Sequence, residues 1–420
     1  MKAVLKATET RGRSASTRSI APKHALAVGM PSTPAPKGWR WSALTELARL
    51  ESGHTPSRRH PEYWGGTIPW ISIGDASAHD GRRIEDTRET TNELGIANSS
   101  ARVLPVNTVC LSRTASVGYV VVMGRPMATS QDFVNWVCSE QLDHNFLKYL
   151  LIAEDEDLLR FASGSVHQTI YFPEVKAFHI CHPPISEQRR IVALLDAAFE
   201  GLATAAANAA RNLQNARDLF ESHLAEVFNR RGEGWVERRL EEVCVLVNGR
   251  AYKKPEMLQS GKYPLLRVGN FFTNRDWYYS DLELDAEKYC DRGDLLYAWS
   301  ASFGPRIWDG ERSIYHYHIW KVLPRIEVVQ LKFLFYLLQW DVEQIKQAQG
   351  TGTTMLHVSK GSMEARALPI PPLALQLPMT ETLDQLNSET QRLIALYEQK
   401  QGELVSLKKS LLHQAFSGAL

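Results

Sequence analysis

Disulfide chemistry has little to work with in this sequence. Its five cysteines, Cys110, Cys138, Cys181, Cys244 and Cys290, are odd in number, widely scattered and without a CxxC pair. That argues against a disulfide framework and a structural zinc site, and it fits a reducing cytoplasm. No stretch approaches 18 uninterrupted apolar residues, and the N-terminus lacks the apolar core of a secretory signal, so membrane-spanning and exported readings are disfavoured. An excess of one charge is missing as well: 48 Lys plus Arg stand against 47 Asp plus Glu, a net charge of +1. No global cationic field draws the chain to nucleic acid or anionic lipid, and any such contact must be local. Catalytic signatures are also absent: there is no Gly-rich phosphate loop with Lys and Ser/Thr, no G-x-S-x-G elbow and no H-E-x-x-H. The nearest approach to an adenine methyltransferase motif, His182-Pro183-Pro184-Ile185 and Ile370-Pro371-Pro372-Leu373, lacks the polar lead residue and falls where helices start.

What is present is ordinary globular composition, 44% hydrophobic and 23% charged, on 420 residues, enough for two to four domains. The charge is unevenly placed. Residues 1–37 hold seven Lys or Arg and one acidic residue. With no periodic hydrophobicity, this segment reads as a disordered basic tail. Its Arg-rich, acid-poor character also resembles a transit peptide, and a start codon assigned too far upstream gives the same picture.

Beyond the tail the chain repeats itself. Gly38-Trp39, Leu44 and Gly53 return as Gly234-Trp235, Leu240 and Gly249, and Pro69-Trp70-Ile71-Ser72-Ile73-Gly74-Asp75 returns as Pro264-Leu265-Leu266-Arg267-Val268-Gly269-Asn270. Ala115-Ser116-Val117-Gly118 matches Ala301-Ser302-Phe303-Gly304, and FLKYLL from Phe146 matches FLFYLL from Phe333. Pro183-Pro184 matches Pro371-Pro372, and Phe228 matches Phe416. Six blocks in one order define two copies of one scaffold with different loops. Each copy reads as short strand-like runs broken by Gly, Pro, Asn and Asp, then one long helix.

The first helix is expected to open after the double proline, with Ser186 and Glu187 suited to its start. Its seam is Ile191, Leu195, Ala198, Leu202, Ala205, Ala209, Leu213, Ala216, Phe220, Leu224 and Val227. The second helix keeps heptad spacing at Leu383, Leu386, Thr390, Leu393, Tyr397, Lys400, Leu404, Leu407 and Leu411. The two are expected to pair. Forty-five residues from Ser186 to Arg230 make a rod of about 67 Å.

With these features the chain resembles the specificity (S) subunits of type I restriction-modification systems. The resemblance runs from about residue 38 to the C-terminus. It is carried by GHTPSRRHPEYWGGTIPWISIGD (53–75), PPISEQRRI (183–191) and LLHQAFSGAL (411–420); the second copy departs in having Leu375 and Leu377 where the first has Glu187 and Arg189. It implies an α+β fold of two strand-rich target-recognition domains in pseudo-two-fold repeat, joined by two long antiparallel coiled-coil helices. The expected divisions are the 1–37 tail, a recognition domain over 38–184, a spacer helix over 185–231, a second recognition domain over 232–378 and a C-terminal helix over 379–420. Each domain is expected to read half of a bipartite asymmetric site in double-stranded DNA. The chain itself is expected to be non-catalytic and without cofactors, working in a bacterial or archaeal cytoplasm. Two methyltransferase subunits would bring S-adenosylmethionine, and restriction subunits ATP and Mg²⁺. The alternatives are the specificity subunit of a related type II-like system and a coiled-coil adaptor whose two heads bind proteins.

Base reading in the major groove uses Arg or Lys for guanine, Asn or Gln for adenine and Asp or Glu for cytosine, with hydroxyls and cations on phosphates. The candidates in the first domain are Arg58, Arg59, His60, Arg82, Arg83, Arg113, Thr114, Gln131, Asp132, His167 and Gln168. Those in the second are Arg250, Lys253, Lys254, Arg267, Asn270, Arg275, Arg306, His316, His318, Thr353 and Thr354. Residues 38–184 hold thirteen basic against seventeen acidic residues, and 235–378 eighteen against seventeen. Phosphate affinity is therefore expected to come largely from partner subunits, with Glu154-Asp155-Glu156-Asp157 facing away from the duplex. Trp39, Trp70 and Trp235 read as core. Trp64, Trp299 and Trp277-Tyr278-Tyr279 lie in variable stretches and are candidates to contact thymine methyls or a partner. His179, Cys181 and His182, like His316 and His318, have metal-ligand chemistry but read as ordinary strand residues.

Overall fold

The computed structural model describes residues 25–26, 35–114, 116–164, 168–273, 275–300, 303–349 and 358–420. The chain divides into two compact units: Met1–Asn208 with Lys400–Leu420, and Ala209–Gln399. In the first unit the strands are β1 (Ala25–Leu26), β2 (Arg40–Ala43), β3 (Ala48–Ser52), β4 (Trp64–Ile71), β5 (Arg83–Ile84), β6 (Glu89–Thr91), β7 (Val109–Ser112), β8 (Val120–Met123), β9 (Ala128–Thr129), β10 (Phe133–Cys138) and β11 (His179–His182). They form sheets ordered β3-β10-β7-β8-β5, β6-β4-β9 and β1-β11-β2. All residues of β7 and β8 are buried, which is why these runs are continuously apolar instead of alternating. The helix His144–Glu154 packs on β7 and β8 through Phe146, Leu147, Leu150 and Leu151, its first turn capped by the Asp143 carboxylate accepting from the backbone N–H of Asn145 and Phe146 at 2.9 and 3.1 Å.

The second unit is built on the same plan from β12 (Val236–Arg239), β13 (Cys244–Asn248), β14 (Tyr263–Leu266), β15 (Tyr278–Ser280), β16 (Tyr289–Cys290), β17 (Leu295–Ala298), β18 (Gly304–Ile307), β19 (Ser313–Tyr315), β20 (Ile319–Pro324) and β21 (Ala367–Ile370). The sheets are β13-β20-β17-β18, β15-β14-β19-β16 and β12-β21. Strands β13, β20, β17 and β18 stand where β3, β10, β7 and β8 stand in the first unit, so the repeat in sequence is a repeat in topology.

Two expectations need correction. Ala25–Leu26, inside the segment read as a disordered tail, is a strand. Its residues pair in parallel with His179 and Ile180 of β11, and Leu26 is buried in the core of the first unit. A short apolar dipeptide satisfies an open sheet edge there, and net composition does not report so local a match. The last helix runs Leu373–Ser417, not from 379, with Pro378 inside it. The start is set by Pro371-Pro372 as the first helix, Ile185–Asn229, is set by Pro183-Pro184. Pro378 lies so near the start that its missing N–H leaves only the Ala374 carbonyl without its helical donor.

The two helices run antiparallel in each unit. In the first, Ile191 and Leu195 share a core with Leu412, Ala415 and Phe416, the Arg190 guanidinium donates to the Leu420 carbonyl at 2.8 Å, and the Lys408 ammonium lies 5.4 Å from the Phe199 ring. In the second, Phe220 and Leu224 pack with Leu383 and Leu386, and Arg217 pairs with Glu398 at 3.1 Å. Every expected seam residue of the first helix is buried or half-buried, whereas Leu393, Lys400 and Leu407 of the second are exposed. An 18-residue window of the first helix has a mean hydropathy of 1.3, apolar enough by composition to cross a membrane. Its segment carries Asp196, which accepts a hydrogen bond from the Tyr149 hydroxyl, and packs on protein through Ile191 and Leu195.

Each helix is bound to its domain by a repeated polar clasp. The Gln188 side chain, fully buried, accepts from the Asp143 N–H at 2.9 Å and donates to the carbonyls of Gln141 and Pro183 at 3.0 and 2.9 Å. Gln376, also fully buried, accepts from the Gln330 N–H at 2.8 Å and donates to the carbonyls of Val328 and Pro371 at 2.9 and 3.1 Å. Two turns later Tyr149 donates to Asp196, and Tyr336 to Asp384 at 2.7 Å. Gln376→Leu leaves three backbone groups without this partner, the Pro371 carbonyl buried and the Gln330 N–H and Val328 carbonyl part-buried, at a cost of up to about 1–3 kcal/mol for each group kept from water. The expected outcome is a fall of several degrees in the melting transition of the second unit by calorimetry. Leu375→Ala, at a side chain 45% exposed, should shift it by no more than about 0.5 kcal/mol; equal shifts for the two variants would refute the clasp.

Candidate nucleic-acid interface

At one end of the main sheet of each unit, three loops are forced together. In the first unit β3 ends at Ser52, β7 ends at Ser112, and β10, antiparallel to both, begins at Phe133. Gly53 lets the chain leaving β3 cross the segment entering β10: a Cβ there would stand 1.9 Å from the Ser130 carbonyl oxygen. Gly249 does the same in the second unit, where a Cβ would stand 2.3 Å from the His316 carbonyl oxygen. Only glycine allows so close a backbone approach.

These crossings assemble part of the expected set in the first unit. The backbone N–H of Arg113 donates to the Asp132 carbonyl at 2.7 Å, and its guanidinium donates to the Gln131 carbonyl at 2.9 Å while lying 5.0 Å from the Phe172 ring. Burial lowers the pKa of Arg113, yet at an arginine's basicity the group stays charged. Thr114 bridges to Thr169, beside the exposed Gln168, and the Gln131 side-chain oxygen accepts from the Thr55 hydroxyl. Asp132 accepts from the Ser130 hydroxyl at 2.9 Å. On the flanking loop Arg58 stacks 3.8 Å from the Trp64 ring centroid and is bidentate to Glu89 at 2.6 and 2.7 Å. Those hydrogen bonds hold the Glu89 carboxyl below its ordinary range and raise Arg58. His60 stacks on Tyr63 and meets Glu62 at 2.9 Å. Arg59 is exposed and has no side-chain ion pair among the described residues.

Other members of that set lie elsewhere. Arg83 is on β5, at the far edge of the sheet, with its guanidinium on Glu85, Asn107 and the Gly124 carbonyl at 3.0, 2.8 and 2.9 Å; Arg82 donates to the Ala78 carbonyl. Both hold local structure, because an arginine beside free carbonyls satisfies them before it reaches out. His167 lies outside the described residues.

In the second unit the same end carries Arg250, Trp299, His316, Tyr317 and His318. Arg250 is bidentate to Glu256 at 2.7 and 3.2 Å. Lys253 and Lys254 beside it are exposed and without ion pairs among the described residues. Arg267 lies 5.3 Å from the Tyr278 ring and close enough to His316 to bias its charge. Asn270 is 3% exposed; its side chain accepts from the Arg267 N–H at 2.7 Å and donates to the Leu265 carbonyl at 3.0 Å. It holds a turn as Asp75 does in the first unit, where Asp75 accepts from the N–H groups of Ser72 and Arg88 at 3.0 Å each. Asn270 therefore cannot reach a base. Arg306 donates to the Phe271 carbonyl and pairs with Asp309 at 2.7 Å, and Arg275 is exposed in the segment before β15. Thr353 and Thr354 lie outside the described residues. His179 and His182 are buried in β11, with His182 against the Ser42 hydroxyl at 3.1 Å.

Sequence reasoning missed Thr55 and Tyr317 and left Trp299 unplaced. The signal was available: Arg113 and Trp299 share the offset of the Ala115 and Ala301 blocks.

Burial, together with the nearby His318 and Arg267, pushes the His316 imidazole down to about 4, whereas an unfolded histidine titrates near 6.5. Between these values the unfolded chain binds more protons, so the stability that His316 contributes is complete above about pH 6.5 and is lost as pH falls toward 4. His316→Gln should flatten the acid limb of a melting-temperature profile of the second unit. An unchanged slope would show that His316 is not the titrating group.

Comparison with known proteins bears on the whole arrangement. A family model described as the type I restriction modification DNA specificity domain matches residues 36–209 and again 232–401. The MjaIX type I restriction enzyme specificity subunit of Methanocaldococcus jannaschii is 26% identical over 251 residues, 56% of this chain and 58% of that one. The EcoR124I/EcoR124II specificity subunit of Escherichia coli is 29% identical over 164 residues, 37% and 40% of the two chains. The chain thus aligns with about half the length of these curated relatives. In fold, a chain from a structure of a type I R-M system matches with a TM-score of 0.77 at 22% identity, covering 92% of this chain and 100% of that one. The HsdS subunit from Thermoanaerobacter tengcongensis matches with a TM-score of 0.58 at 21% identity, over 93% and 99%. Matched twice, once in each half, this chain belongs to the type I restriction-modification DNA specificity family.

Proposed function

We propose that this chain reads a bipartite, asymmetric site in double-stranded DNA, one half with each domain, through the loops gathered at the end of each main sheet. The observation that carries this reading is the frame built twice, Gly53 with Arg113 and Gly249 with Trp299, holding different side chains in each copy. A shared frame with divergent inserts is what two half-sites of different sequence require. The readers are the exposed Arg59, Gln131 and Gln168 in one domain, and in the other the exposed Lys253, Lys254 and Tyr317 with the half-buried His316 and His318.

The near balance of charge makes this chain a selector with little phosphate affinity of its own. Two methyltransferase subunits docked on the long helices supply that affinity together with S-adenosylmethionine. Restriction subunits add ATP and Mg²⁺ in the full complex. The chain contributes no catalytic group and works in a bacterial or archaeal cytoplasm.

The test is modified-base sequencing of genomic DNA from a host carrying this chain with its neighbouring methyltransferase gene, against the methyltransferase alone. A two-part motif methylated on both strands only when this chain is present is the expected result. Arg59→Ala should loosen one half-site, by about tenfold at one position for a lost guanine contact, and leave the other half intact. No new methylation from a stable complex would instead favour the adaptor reading.

A further inference from the structure

We propose that the loop His316-Tyr317-His318 reads the second half-site by apolar contact with the 5-methyl group of a thymine in the major groove, a different chemistry from that of the first domain. The inference rests on the DNA-reading function above.

The two frames coincide bond for bond. The backbone N–H of Arg113 meets the Asp132 carbonyl at 2.7 Å, and that of Trp299 meets the His318 carbonyl at 3.0 Å. The Arg113 guanidinium donates to the Gln131 carbonyl at 2.9 Å, and the Trp299 indole N–H donates to the Tyr317 carbonyl at 2.9 Å. Tyr317 therefore occupies the place of Gln131, and the difference between the domains at this place is side-chain chemistry. In the first, an amide beside a guanidinium offers hydrogen bonds. In the second, a phenol ring packs against a pair of imidazoles, its centroid 4.5 Å from His316 and 3.9 Å from His318, with the two imidazoles 4.9 Å from each other.

Tyr317 is also held rigidly. Its carbonyl accepts from Trp299, its N–H donates to the Arg250 carbonyl at 3.1 Å, and the loop it rides on spans only the gap between β19 and β20. Even so its side chain remains 39% exposed. A large ring fixed in place and left facing water gains little for the fold, and it offers contact area to a partner at small entropic cost. Burial keeps the flanking His316 neutral at physiological pH, and the one guanidinium on the adjoining strand exit, Arg250, is committed to Glu256. The three residues of the loop themselves carry neither a guanidinium nor an ammonium group, and the Arg267 guanidinium near His316 lies 5.3 Å from the Tyr278 ring. Among the edges displayed in the major groove, the methyl group of thymine is the apolar one.

The test uses the assembled complex of this chain with its methyltransferase subunits and oligonucleotides carrying the mapped site. Each thymine is replaced in turn by deoxyuridine, which removes only the methyl group. In the half-site that Arg59→Ala leaves intact, one replacement should weaken binding about fourfold, the value of one buried methylene-sized group. Tyr317→Ala should abolish that discrimination, and Tyr317→Phe, which keeps the ring, should retain it. Three results overturn the inference: a half-site without thymine, equal discrimination in Tyr317→Ala and the unsubstituted complex, or no deoxyuridine effect in that half. Brightening of 2-aminopurine beside the site without a deoxyuridine effect would make the ring a wedge between bases, and also overturns it. If Arg59→Ala relaxes one half-site while both Tyr317 variants behave as the unsubstituted chain, this inference alone fails. If neither residue affects site selection, the DNA-reading assignment of both loops fails.

Discussion

The rest of the structure depends on one buried side-chain amide, used twice. A primary amide taken out of water must find partners for two donors and an acceptor, or its burial costs more than the contact returns. Gln188 finds them on three backbone groups, two in the turn that precedes the His144–Glu154 helix and one in the double proline that opens the long helix. Gln376 finds the equivalent three in the second unit. Hydrogen bonds are directional and greasy contacts are not. The amide therefore fixes the angle at which each helix leaves its domain, while the surrounding Phe and Leu side chains supply most of the burial free energy. The Tyr149 and Tyr336 hydroxyls, reaching Asp196 and Asp384 two turns further on, add a second point that resists rotation about the first.

With the helices fixed in this way, the end of each main sheet becomes a mounting for side chains that carry no structural duty. The mounting is made of backbone: a glycine that permits strand exits to cross, and amide hydrogen bonds between the loop after one strand and the loop before its neighbour. Arg113 and Trp299 show how tolerant it is, since a guanidinium and an indole donate to the same carbonyl position. Several arginines that look available in sequence are not. Arg58, Arg83, Arg250 and Arg306 are each held by carboxylates or carbonyls of the same unit. A guanidinium has five donors in a fixed fork, and a neighbouring acidic residue engages them before any outside ligand does.

Much of the architecture was legible in the order of the residues. The six repeated blocks required two copies of one fold, the double prolines marked where helices begin, and the three-and-four spacing of Ile191 to Val227 gave a seam that is buried or half-buried throughout. Less of the candidate site was legible. Residue type separates readers from non-readers only when local acceptors are known: Asn270 has the right chemistry for adenine and is spent on a turn, whereas Tyr317 has the less expected chemistry and stands exposed. The exposed Leu393 and Leu407 make the same point for the second helix, where heptad spacing continues past the residues that pack.

The sequence by itself determined the repeat, the helix periodicity, the near-neutral charge and the lack of catalytic motifs, because these depend on composition and spacing along one dimension. The tertiary structure alone decided which polar side chains are consumed internally and which are left over. It paired Ala25–Leu26 with β11, set Gln188 and Gln376 on carbonyls more than forty residues away in sequence, and closed the Trp299 indole on the Tyr317 carbonyl. Hydrogen bonds act over about 3 Å, and contacts that short between residues so far apart in sequence are fixed only when the sheets close.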